Sequence, residues 1–185
     1  EAYPNDVKAR AKAAAAAGSD ARMNGCSMPV IINSGSGNQG MTVSLPVIEY
    51  AKELKVSKEE LYRALVVSNL VAIHQKYYIG DLSAYCGVVC AATGSGAAIT
   101  YMKKGTYQQI SDTITNTIAN IGGMVCDGAK ASCAAKIASA VEAAILGHCM
   151  SMNRRCFQEG EGLVQKDVEK TIESIGKVGR EGMRE

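Results

Sequence analysis

Seven cysteines are scattered along this chain, and four of them stand where thiol chemistry is feasible: Cys86, Cys90, Cys126 and Cys133. Cys86 and Cys90 are four residues apart, so on a helix they share one face. Cys126 and Cys133 bracket Asp127-Gly-Ala-Lys-Ala-Ser132, which reads as a loop turning into a helix start. A thiolate there faces unpaired backbone N–H groups and the positive end of the helix dipole, and its pKa falls. Three thiols from two such elements could hold a metal or an anionic iron–sulfur cluster. The competing reading is plainer, because free cysteine packs as a small hydrophobe and is among the most buried residue types. On spacing alone, core packing is the commoner outcome. Neither C-x3-C nor C-x6-C matches a zinc-finger or ferredoxin pattern.

The second stretch with chemical content is Asn33-Ser-Gly-Ser-Gly-Asn-Gln-Gly40. Residues of these types cannot build a core, and the glycines allow positive φ and close backbone approach. An apolar helix over 41–54 follows directly. A polar, glycine-rich turn feeding a helix N-terminus is an anion cradle, with free N–H groups and a favourable dipole. The turn is not a Walker loop, since no Gly-Lys-Ser/Thr ends it, nor a dinucleotide fingerprint, since no βαβ unit surrounds it. A flexible linker is the alternative, but linkers join domains and this turn lies between two strongly apolar segments. Ser34, Gly35, Ser36, Gly37, Asn38 and Gln39 are therefore the candidate ligand contacts. His74 is the one histidine considered for a catalytic role, although a satisfied core histidine is its more ordinary reading.

Helices must position these groups. The spacing predicts a helix from Asp6 through the alanine-rich run to Gly18, on propensity. Residues 25–32 are extended or a short buried strand, with Pro29 against a helix there. Ser57-Lys-Glu-Glu60 is a capping box for a helix to about Tyr78. That helix is apolar nearly all round, which predicts a central, buried element. Asp81 caps a helix over 82–102 carrying Cys86 and Cys90, whose 91–98 stretch of small residues lets neighbouring backbones come close. Thr106-Tyr-Gln-Gln109 is a second capping box, for a helix to about Asn120. Two further helices are expected over 130–150 and 166–176, with Glu169 and Glu173 opposed unfavourably on the last. The expectation is all-α, a compact multi-helix single domain over 1–185 with at most one short strand.

Composition narrows the function. A formal net charge of +2, with no Lys/Arg cluster interleaved with aromatics, gives no case for nucleic acid or an anionic membrane. No uninterrupted apolar run of about 18 residues predicts a membrane span. An odd number of cysteines in helical contexts, with no signal peptide, favours a reducing cytoplasm. The sequence opens on Glu1 without Met and ends on a charged helical pattern, so it is expected to be a piece of a longer protein.

Three motifs together carry a resemblance. Asn33–Gly40 with Leu45-Pro46-Val47, Leu82-Ser-Ala-Tyr-Cys86-Gly87, and Gly123-Met-Val-Cys126-Asp127-Gly-Ala-Lys-Ala-Ser-Cys133 resemble the signature and cluster-ligand segments of the serine dehydratase α-chain / L-cysteine desulfidase family. The resemblance covers nearly the whole chain. Asp127 is followed by Gly128 and not by proline, and the last two cysteines are seven apart, which favours the desulfidase-like branch. The resemblance implies a 4Fe–4S cluster held by Cys86, Cys126 and Cys133 with one iron open, and no pyridoxal phosphate. Cys26, Cys90, Cys149 and Cys156 lie off the motif positions and are expected to pack. The implied reaction is α,β-elimination from a small amino acid: cysteine to pyruvate, ammonia and sulfide, or serine to pyruvate and ammonia. The family's base is held to be a cysteine in an N-terminal portion, so that portion is an expected partner and the fragment alone is expected to be inactive. A homo-oligomer is compatible with this picture. Two rival readings stay open: a non-catalytic helical domain with core cysteines, and a structural zinc site.

Overall fold

The computed structural model describes residues 4–81 and 83–183. Among these, seven α-helices form a layered bundle with no strand, and the only ladder fragments are two isolated antiparallel bridges. The helices are α1 (Val7–Met23), α2 (Gly37–Leu54), α3 (Lys58–Ile79), α4 (Gly87–Met102), α5 (Tyr107–Ile121), α6 (Cys133–Met152) and α7 (Val168–Lys177). A π-helical turn, Val178–Gly182, continues α7. Local chemistry sets most of the starts. The side chains of Asp6, Ser57 and Asp167 each accept the N–H three residues on, and Thr106 with Gln109 forms a reciprocal capping box. At Ser57 only the serine's half of the expected box forms.

The centre of the bundle is α4, not α3. Nearly all of α4 is buried, and it packs against α2, α3, α5 and α6. Its small residues make this possible. A Cβ on Gly94 would lie 2.2 Å from the Ser68 carbonyl oxygen of α3, and one on Gly96 would lie 3.1 Å from Ala144 of α6. Removing side chains from α4 therefore lets two neighbouring backbones close on it. The apolar circumference of α3 has another outcome. One face, with Ala64, Ser68, Ala72, Gln75 and Ile79, is buried on α4, while Tyr62, Val66, Leu70, Ile73 and Tyr77 stand in solvent.

Other expectations shift for identifiable reasons. Helix α1 runs through Gly18 because the missing side chain there admits Met41 of α2, whose Sδ would be 2.9 Å from a Cβ. Residues 25–32 are extended but form no strand, and they are mostly exposed. Asp81 does not cap α4, which starts six residues later, at Gly87. The expected start at Leu82 lies outside the described residues. Helix α6 has the length and mean hydropathy to cross a membrane, contrary to the expectation that no segment does. Half of it is buried inside the bundle, against α1, α4 and α5, as a core helix would be. Glu169 and Glu173 do not oppose each other, since Glu169 bonds His74 at 2.7 Å and Glu173 bonds Lys170 at 2.7 Å.

Candidate functional site

The site is built where three helices begin. Asn33 and Ser36 exchange backbone hydrogen bonds around Ser34 (φ 47°) and Gly35 (φ 78°), a tight turn that needs positive φ at both central residues. The turn delivers the chain straight into α2. Helix α2 thus begins at Gly37 and not at Met41, with Ser36 as its N-cap accepting from the Gln39 N–H at 3.4 Å. The Gly40 N–H is taken by the Ser36 carbonyl. That leaves the N–H groups of Gly37 and Asn38 as the open donors of the first turn. The Asn38 side chain is committed elsewhere, its Oδ1 accepting from Arg22 Nη1 at 3.1 Å. Gly40 is required because the Ile31 carbonyl would lie 1.6 Å from a Cβ at that position.

Gln39 joins this turn to the cysteines. Its side chain reaches the first residue of α4, where a Cβ on Gly87 would sit 2.6 Å from the Gln39 amide carbon. Gln39 is only 7% exposed, and its Oε1 has no hydrogen-bond partner among the described residues. A buried acceptor without a donor costs about 1–3 kcal/mol, so a structure that keeps one needs a reason.

Cys86 is the N-cap residue of α4. The segment before it is tied to the segment before Asp127 by a bridge between Tyr85 and Val125, through Cys86 N–H to the Met124 carbonyl and Cys126 N–H to the Ala84 carbonyl, both 2.8 Å. In that antiparallel register Cys86 and Cys126 fall on the same face and are diagonal neighbours, a separation of roughly 7 Å between residues. Cys133 is the first residue of α6, buried, with its thiol directed at the Gly128 carbonyl 3.7 Å away. Burial pushes the Cys86 thiol up, negative charge on Cys126 and Cys133 adds to that, and the Val88 N–H and Lys136 oppose it. The three thiols are therefore electrostatic neighbours. Cys86 and Cys133 are buried and Cys126 is exposed, so the group has an inner wall and an open side.

Positive character surrounds them. Cys86 caps α4 and Cys133 opens α6 here, and the first turn of α2, Gly37–Gly40, reaches α4 through the Gln39 side chain; each helix N-terminus contributes about half a unit of positive charge. Lys136, one turn along α6 from Cys133, bonds the Val125 carbonyl at 3.1 Å and pairs with Asp127. That pairing raises the Lys136 pKa and holds the Asp127 carboxyl below its ordinary value. Lys136 went unnoticed in the sequence, although its i, i+3 spacing from Cys133 puts both on one helical face. Among the described residues, no three His, Cys, Asp or Glu side chains come close enough to hold a single metal ion.

The remaining candidates lie elsewhere. Cys90 is fully buried one turn into α4, its thiol pushed up to about 12 by desolvation. Cys149 packs against the larger core cluster, and burial also pushes Cys156 up to about 12. Cys26 does not pack as expected. It is exposed and lines an apolar cavity of about 310 Å³ with Met28, Pro29 and Met41. His74 is not a core residue either: it is exposed, paired with Glu169 of α7, and makes no bond to the site.

Comparison with known proteins shows the family. The family model for the serine dehydratase alpha chain matches residues 3–185, and the chain belongs to that family. It is 62% identical over 183 residues to a UPF0597 protein of Desulfitobacterium hafniense, covering 99% of this chain and 43% of that one. A UPF0597 protein of Lachnoclostridium phytofermentans is 60% identical across the whole chain and 44% of its own length. A third, from Treponema denticola, is 58% identical over 96% of this chain. The chain spans less than half the length of these curated relatives. No solved structure matches.

Proposed function

We propose that this chain is the cluster-bearing part of an iron–sulfur lyase that performs α,β-elimination on a small amino acid, releasing pyruvate, ammonia and sulfide from L-cysteine. The observation that carries the reading is the meeting of three thiols with three helix N-termini beside a buried, unpartnered amide oxygen. Cys86, Cys126 and Cys133 would hold a 4Fe–4S cluster, with the open side at Cys126. Bound there, the cluster supplies a Lewis acid for the leaving thiol or hydroxyl. The chain's own groups handle the substrate's other end. The Gly37 and Asn38 N–H groups, backed by the α2 dipole, receive the carboxylate. Gln39 Oε1 accepts from the substrate ammonium and so satisfies its own missing bond. Lys136 and the dipoles of α4 and α6 stabilise negative charge on the thiolates. Elimination takes the Cα proton to a base and the Cβ–S electron pair to the leaving sulfur. The enamine that remains hydrolyses to pyruvate and ammonia. No base stands among the described site residues, and the rest of a polypeptide of the relatives' length is its proposed source.

The family description favours a second reading, L-serine as substrate and water as the leaving group. One set of measurements tests both. The chain is reconstituted anaerobically with iron and sulfide, and bound iron and acid-labile sulfide are quantified. About four of each per chain is expected, and Cys126→Ala should lose most of it. Stoichiometric zinc, or no metal at all, would return the cysteines to structural roles. In a full-length protein, pyruvate formed with equimolar sulfide from L-cysteine supports the first reading, and pyruvate from L-serine alone supports the second.

A further inference from the structure

Five large apolar side chains of α3, Tyr62, Val66, Leu70, Ile73 and Tyr77, are between 48% and 74% exposed. Their spacing places them on one face, in a row about 22 Å long at 1.5 Å per residue. Single exposed apolar residues are ordinary, but a continuous row is not. The extended segment before the Asn33 turn adjoins it. There the backbone is seated on α2, with the Ile31 carbonyl against Gly40, while the side chains of Met28, Ile31 and Ile32 are 64–75% exposed. Asn33 Nδ2 donates to Asn69 Oδ1 at 2.9 Å, which fixes this segment to α3 between Val66 and Leu70 in sequence. At the N-terminal end of the row an exposed ion pair, Glu59 with Arg63, borders the apolar face. The segment is thus held by its main chain and presents its apolar groups outward.

We propose that this face is the docking surface for the portion of polypeptide that the relatives carry beyond the matched region. More than half of each relative lies there, since the match covers 43% and 44% of two of them. A cover on the same chain is present at a fixed ratio and a high effective concentration, so it outcompetes a second copy. The face also runs up to the Ser34–Gly37 turn. The docking does not depend on the lyase reading.

The test uses a full-length chimera in which this chain replaces the matching region of the Desulfitobacterium hafniense relative. Benzoyl-phenylalanine stands in place of Leu70 in one sample and in place of Gln108, exposed on α5, in another. After irradiation, crosslinks from position 70 are expected within the relative-derived segment of the same chain, at unchanged molecular mass, with few or none from position 108. A doubled mass would put a second copy on the face, and an absence of crosslinks from position 70 would leave the face bare; either overturns the proposal. A second arm uses Leu70→Arg with Ile73→Arg. In this chain alone the pair should leave amide exchange in α2 and α4 within twofold. In the chimera it should raise exchange across the relative-derived segment at least tenfold, and equal exchange with and without the pair would count against docking. The crosslink needs neither iron nor turnover, so it can fail while the lyase reading stands, and the reverse.

Discussion

Two polar interiors in this bundle are built on opposite terms. Between α4, α5 and α6, Thr100 Oγ1 meets Thr113 Oγ1 at 2.8 Å and His148 Nδ1 at 2.9 Å, and Thr113 meets Ser151 Oγ at 2.7 Å. Nearby, buried Asn116 donates to the Arg155 carbonyl and accepts the Phe157 N–H, both at 3.0 Å, fastening the loop after α6. These groups are closed in and bonded. At the junction of α2 and α4, Gln39 Oε1 is buried and has no hydrogen-bond partner among the described residues, beside the open thiol group. Ser19 Oγ of α1 also lacks a partner, but it is a rotatable hydroxyl in a helix interior with a carbonyl one turn back. The contrast separates a polar core from the candidate site. The first is satisfied by the chain itself, and the second holds a buried acceptor that no group among the described residues satisfies.

The largest effect that would break this contrast concerns His148. Burial, with Lys103 and Lys8 nearby, lowers its pKa from 6.5 to about 4. Between those values the unfolded chain takes up the extra proton and the folded chain does not. Stability from this group is therefore complete above pH 6.5, falls as the pH drops, and levels off below about 4. The full span is about 3 kcal/mol at 1.36 kcal/mol per unit. Urea unfolding from pH 7.5 to 4 should show this slope, and His148→Asn should flatten it by that amount. If the variant keeps the wild-type slope, His148 is not the buried neutral member of the network.

A middle effect belongs to Thr113. Thr113→Val keeps the shape and removes one hydrogen-bond partner each from Thr100 and Ser151, which keep their carbonyl acceptors at Gly96 and His148. A loss of about 1–2 kcal/mol is expected from denaturant midpoints, with no change in cluster content. A smaller loss would show that the network is less tightly bonded than its distances imply.

The same contrast explains what the sequence could disclose. Capping at Thr106 and Gln109, the alanine-rich α1 and the small residues of α4 are local signals, and the helices formed where those signals lay. The start of α4 was hidden because Asp81 mimics a cap, whereas the Tyr85–Val125 bridge, forty residues apart, holds the chain extended up to Cys86. The start of α2 was hidden because Gly37-Asn-Gln-Gly40 has turn-like composition and becomes helical only under the Ile31 main chain. The exposed face of α3 could not be told from its buried one, since both are apolar and only packing on α4 distinguishes them. At the site, the three thiols and the turn were nameable by motif, but the pairing of the Cys86 and Cys126 segments, and the reach of Gln39 to Gly87, depend on contacts distant in sequence. So does the burial of Gln39 Oε1.

A smaller effect is expected at Gly87. A Cβ there would press on the end of the Gln39 side chain, which can swing, so Gly87→Ala should cost under about 1 kcal/mol in stability. It should nonetheless move the amide away from the thiol group. On the proposed function, the expected sign in a full-length protein is a raised KM for the amino acid with unchanged iron uptake on anaerobic reconstitution. An unchanged KM would argue that Gln39 does not face the substrate.

The smallest change in stability should come from Gln39 itself, and its size decides the comparison. Gln39→Met keeps the length of the side chain, removes the buried oxygen that lacks a donor, and adds an apolar surface against Gly87. In the bonded interior such a replacement is costly because it orphans partners. Here there is no partner to orphan, so the cost of leaving an acceptor unpaired, about 1–3 kcal/mol, is relieved and some packing is gained. The chain should unfold at an equal or higher urea concentration, by up to about 1 kcal/mol after the methionine side chain's own ordering is counted. A site held at the expense of stability behaves in this way, since natural sequences give up stability where function needs it. The accompanying loss should fall on the amino acid's KM and not on iron content. A drop in stability of about 2 kcal/mol would instead mean that Gln39 already holds the α2–α4 junction together, and its proposed substrate contact would fall.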